Sequence, residues 1–139
     1  MSIKFQDLIT DVSKDLGVSL KIDQNGCVCI LFEDILKINI EPDREEKNLI
    51  IFTPICELPP GKYKENILLS ALKDNNKFPY FGIFGYSTKS SLLTFHNILP
   101  IEGMKSELLI SYINTFVKIS LALKTAIERG QTIISSFES

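Results

Sequence analysis

The stretch NILLSALKDNN, residues 66–76, decides how the rest of the chain is arranged. It reads as a helix opened by ELPPGKYKE (57–65) and closed by Asn75, Asn76 and Pro79. Yet Ile67, Leu68, Leu69, Ala71 and Leu72 are nearly contiguous and cover more than one side of a short helix. One side can face the domain's own core. The other side has to be buried against something else.

Working back from that helix, the chain reads as strands. LIIFTPI (49–55) has apolar residues on both faces, and Pro54 predicts that its end is an edge or is leaving the sheet. PDREEKN (42–48) is a solvated loop, not a carboxylate pair set for catalysis. ILKINIE (35–41) alternates Leu36, Ile38 and Ile40 with Lys37, Asn39 and Glu41. CVCILFE (27–33) is apolar on both faces, and SLKID (19–23) ahead of QNG predicts a hairpin. Before these, Phe5, Leu8, Ile9, Val12 and Leu16 make one helical stripe over residues 3–16, with Gly17 as its stop.

Working forward, YFGIFGYST (80–88) and SLLTFHNIL (91–99) read as two strands joined through KSS. The glycines of the first predict a close approach by another backbone or side chain. A long helix follows from about Lys105 to Arg129, with Gly130 as its stop. The expected order is α-β-β-β-α-β-β-α. That is an α+β domain with a mainly antiparallel twisted sheet and three helices. A single domain over residues 1–139 suits this length.

Composition narrows the function. Fifteen basic residues are scattered among seventeen acidic ones, with a net charge of −2, which disfavours a nucleic-acid binder. No basic region precedes an apolar run at the N-terminus, so no signal peptide is expected. The last helix is interrupted by Asn114, Lys118 and Lys124, so no membrane insertion is expected. Three cysteines fit a reducing compartment better than a disulfide framework. Cys27, Cys29, Cys56 and His96 supply ligand types for zinc, but C-x-C on a strand is an unusual spacing. Buried, reduced, metal-free cysteines are the expectation, with no cofactor. His96 is the single histidine, and no nucleophile motif stands beside it.

What stands out is apolar surface in excess of one core, which calls for a partner. With that excess, the chain resembles the class I type III secretion chaperones of Gram-negative bacteria, the Tir-chaperone-like family. The resemblance runs through FQDLITDVSKDLG (5–17), LKIDQNGCVCILFED (20–34), LIIFTPICELP (49–59), ILLSALKDNN (67–76), GYSTKSSLLTFHNILPI (85–101) and ELLISYINTFVKIS (107–120). The most telling part is Leu68, Leu69, Leu72 and Asn75. The finer pattern is closest to chaperones of chlamydial type, although the last helix lacks the tryptophan that many relatives carry.

The resemblance implies a non-enzymatic protein of the bacterial cytoplasm. It would bind the extended N-terminal segment of a secreted effector or secretion-control protein, keep it secretion-competent and deliver it to the secretion apparatus. It would act as a homodimer, or as a heterodimer with a second chaperone. The implied subunit interface includes Ile67, Leu68, Ala71, Leu72, Phe81 and Ile83. The implied client surface includes Phe5, Leu8, Ile9, Val12, Val28, Ile30, Phe32, Leu36, Ile38 and Ile40, and binds by strand addition and apolar pockets. The alternative is a small α+β ligand-binding or enzymatic domain whose pocket includes His96 and Cys56.

Overall fold

The computed structural model describes residues 3–77 and 82–130. The elements are α1 (Ile3–Leu16), β1 (Val28–Phe32), β2 (Leu36–Pro42), β3 (Asn48–Glu57), α2 (Lys62–Lys77), β4 (Ile83–Ser87), β5 (Leu92–Pro100) and α3 (Ser106–Glu128). This is the order expected from the sequence. Every strand pair is antiparallel, in the spatial order β1-β2-β3-β5-β4. The chain leaves β3, forms α2 and β4, and returns so that β5 fills the place beside β3.

One face of the sheet carries the core. Val28, Leu36, Ile38, Ile40, Leu49, Ile51, Leu93 and Phe95 are buried on it. Phe116 of α3 stacks on Phe95 with ring centroids 5.3 Å apart, so α3 lies across this face. The stripe Leu109, Ile113, Phe116, Leu123 and Ile127 faces inward at helical spacing. By length and composition alone α3 is apolar enough to cross a membrane. Its apolar stripe is used in the core instead. α1 packs on α3, with Phe5, Leu8, Ile9 and Val12 buried in the core, and ends at Gly17, whose φ of +68° suits a glycine after a helix. α2 is tied to α3 by Tyr63, whose hydroxyl donates to the Ile127 carbonyl at 2.9 Å.

The structure corrects one local reading and bears out another. Residues 19–23 are not a strand: Asp23 closes a turn instead, accepting from the Asn25 and Cys27 amides on its carboxylate. The hairpin lies one step later, where Glu33 and Asp34 both have positive φ and Ile35 N–H donates to the Phe32 carbonyl. Pro54 lies where β3 has become an edge on its β2 side, as its sequence predicts. Pairing with β2 stops at Phe52, and a register shift falls between Pro54 and Cys56. The Thr53 hydroxyl donates to the Lys37 carbonyl in place of a ladder bond, and Lys124 of α3 donates to the Ile55 carbonyl at 2.9 Å. The proline is tolerated because its missing N–H is not needed there.

The glycines before and within β4 do allow close approach. A Cβ on Gly82 would meet the Phe95 ring at 2.4 Å, and one on Gly85 would meet Thr94 Oγ1 at 2.8 Å.

Candidate functional site

Alternation on the strands leaves a second sheet face, and the register assigns it. Cys29, Asn39, Phe52, His96 and Ile83 stand opposite one another in a row across all strands. Glu41, Ile50 and Ile98 form a parallel row beside it. All of these are exposed or half-buried. Leu31 is 58% exposed and Ile98 54% exposed, so this face offers apolar surface that none of the described residues covers.

The β1 edge borders this face. Asp23 N–H donates to the Cys27 carbonyl, and the Asp23 carboxylate accepts from the Cys27 amide. Antiparallel alternation then turns the backbone groups of Cys29 and Leu31 outward. Among the described residues no hydrogen bond meets them. The edge is closed at one end and open for a short length next to it.

Most of the residues expected to bind a client lie in the core. Phe5, Leu8, Ile9, Val12, Val28, Leu36, Ile38 and Ile40 are each 6% exposed or less and build the chain's own core. Ile30 and Phe32 keep part of their surface, at the β1 end of the inner face. The sequence could not choose the face, because CVCILFE and LIIF are apolar on both. Leu31, Ile50, Phe52 and Ile98 make up the exposed apolar part of the outer face and were not singled out from the sequence. Their only signal was that they remained once the alternating strand β2 had fixed which face is inward.

The α2 residues divide as their spacing suggests. Ile67 and Ala71 are buried, Leu68 is half-buried, and Leu69 and Leu72 are 55% and 67% exposed. Leu68, Ala71, Leu72 and Asn75 of α2, with Phe84, Gly85, Tyr86 and Leu93, line a groove of about 220 Å³. Lys64 lies 4.9 Å from the Tyr86 ring centroid at this groove's end. Ile83 is half-buried, but it belongs to the outer sheet row and not to the groove lining. Phe81 lies outside the described residues.

The cysteines are less buried than expected. Cys29 is exposed and Cys27 half-buried, because both stand on the outer face. Cys27 Sγ donates to Glu41 Oε2 at 2.9 Å. The carboxylate, helped by burial, pushes the thiol up to about 11. Among the described residues no set of His, Cys, Asp and Glu has the arrangement of a metal site. His96 is on the outer face. Cys56 pairs with the inward Leu93 and packs against the core, where burial raises its thiol pKa. The two residues of the alternative pocket are on opposite sides of the sheet.

Among solved structures, the chain is similar to one in the ExsC–ExsE complex, with a TM-score of 0.75 and 14% identity over 90% of this chain and 96% of that one. It is similar to one in the HopA1–SchA chaperone–effector complex, with a TM-score of 0.73 and 16% identity over 89% and 95%. It is also similar to one in the Yersinia pestis complex of the type III secretion chaperone SycH with a stable fragment of YscM2, with a TM-score of 0.67 and 17% identity over 84% and 97%. These likenesses show a shared fold. No curated protein matches the chain. The family model of the Tir chaperone protein (CesT) family matches residues 7–123, which takes in all of the sheet and most of the three helices, and the chain therefore belongs to that family.

Proposed function

We propose that this chain is a type III secretion chaperone. It holds the extended N-terminal segment of a secreted effector or secretion-control protein in a secretion-competent state and hands it to the secretion apparatus. The observation that carries this reading is the open backbone of Cys29 and Leu31 beside the uncovered face of Leu31, Phe52, Ile50 and Ile98. An extended client supplies unpaired backbone groups and alternating side chains, and such a site receives both. The client adds a strand to β1 and lays apolar side chains against the outer face. Ile30 and Phe32 contribute at the strand end.

The second surface is the α2–β4 groove. Exposed Leu69 and Leu72 next to half-buried Leu68 provide the side of α2 that meets a second subunit, identical or paired. Burial of one leucine stabilises by roughly 1.5–3 kcal/mol, so a symmetric contact repeating these residues can be stable. The protein works without a cofactor or catalysis, in the bacterial cytoplasm where clients are made. The test is to mix the purified protein with N-terminal segments of candidate secreted proteins from the same genome. A stable complex, with no turnover of a small molecule, supports the chaperone reading. His96-dependent turnover of a small molecule, with no complex, would replace it with the enzymatic one.

A further inference from the structure

The far edge of the sheet is closed by a side chain. Phe84 N–H donates to Asn75 Oδ1 at 2.7 Å, and Asn75 Nδ2 donates to the Phe84 carbonyl at 2.9 Å. A primary amide offers a donor and an acceptor in one plane, as a peptide group does. Asn75 therefore stands where the backbone of a further strand would stand. Among the described residues β4 is the last strand of the sheet, so these two groups of Phe84 would otherwise be an unpaired edge. The apolar groove of Leu68, Leu72 and Tyr86 runs alongside. An open edge beside an apolar groove is what an extended segment pairs with. Asn75 is also a poorer helix former than the leucines and alanine before it, so helix propensity does not account for it.

We propose that Asn75 determines where strand addition occurs: it guards the β4 edge, so that an extended apolar segment enters at Cys29 and Leu31 and leaves the α2–β4 groove to the second subunit. For its biological consequence the inference rests on the strand-addition reading above. The guard itself is a property of the fold and can be tested apart from that reading.

The probe is a synthetic peptide of residues 92–100, LLTFHNILP, the natural neighbour of β4, followed by amide NMR. With the wild-type protein the peptide shifts the Cys29 and Leu31 amides and leaves Phe84 and Tyr86 unmoved. In Asn75→Ala it shifts Phe84 and Tyr86 as well. In that variant without peptide, the Phe84 amide exchanges roughly tenfold faster, as expected for one lost hydrogen bond. Asn75→Asp keeps an acceptor for the Phe84 N–H but loses the donor, and gives an intermediate gain. It also serves if Asn75→Ala fails to fold. Equal shifts at Phe84 and Tyr86 in wild type and variants would overturn the proposal, as would no gain in either variant. A gain at Phe84 in the variants with no shift at Cys29 and Leu31 in any protein would uphold the guard and defeat strand addition at β1.

Discussion

Cys27 and Cys29 differ by two positions and share a face, yet their surroundings set them apart. Cys29 is open to solvent, whereas the Cys27 thiol donates to Glu41 and is held protonated well above neutral pH. The reactive form is the thiolate, so iodoacetamide should modify Cys29 first at pH 8. Because the folded value of Cys27 is raised, its proton is retained as pH climbs past 9, and its alkylation should accelerate only towards pH 11. Glu41→Gln should move that rise back towards pH 9, the ordinary thiol value. Mass spectrometry of the alkylated peptides follows both, and equal modification of Cys27 and Cys29 at pH 8 would contradict the pairing. Ser120 gives a stability prediction at the same scale. Its hydroxyl is fully buried in α3 and has no hydrogen-bond partner among the described residues. Removing an unsatisfied buried hydroxyl relieves a desolvation cost, so Ser120→Ala should stabilise the fold by about 1 kcal/mol. A urea midpoint that falls in the variant would show that the hydroxyl is satisfied in solution.

At the scale of elements, α2 answers the question its sequence posed. Ile67 and Ala71 take the inward side, and Leu69 and Leu72 remain outside. Leu72→Asp should leave the fold intact, since that side chain is 67% exposed in the single chain. It should turn a subunit contact into a monomer, because the new carboxylate would be buried without a partner. Sedimentation velocity at micromolar concentration checks this, and an unchanged dimer in Leu72→Asp would remove α2 from the interface. By contrast, Leu68 and Ala71 also support the core, so substitutions there would mix folding with association. α1 and α3 were legible because their apolar stripes keep one period over several turns. β2 was legible because it alternates. β1 and β3 gave their existence but not their inward face, since Cys29 and Leu31 are as apolar as Val28 and Ile30. Residues 19–23 misled because an Asn-Gly pair marks a turn without specifying that a strand precedes it.

Across the whole molecule, three helices are spent on one face of the sheet, and the other face is left with Leu31, Ile50, Phe52 and Ile98. Sequence alone showed apolar residues in excess. It did not show which were in excess, because that depends on a register that only the folded sheet displays. The fold separates two surfaces: an open β1 edge with an apolar face beside it, and an α2–β4 groove whose strand edge Asn75 closes. On the proposed function, client binding at the first and subunit contact at the second can proceed without competing. The most direct test is hydrogen–deuterium exchange of the protein, free and bound to the N-terminal segment of a secreted protein from the same genome. On binding, the Cys29 and Leu31 amides should slow strongly, while Phe84, already bonded to Asn75, should change little. A stable complex that leaves Cys29 and Leu31 exchanging at their free rates would contradict strand addition at β1.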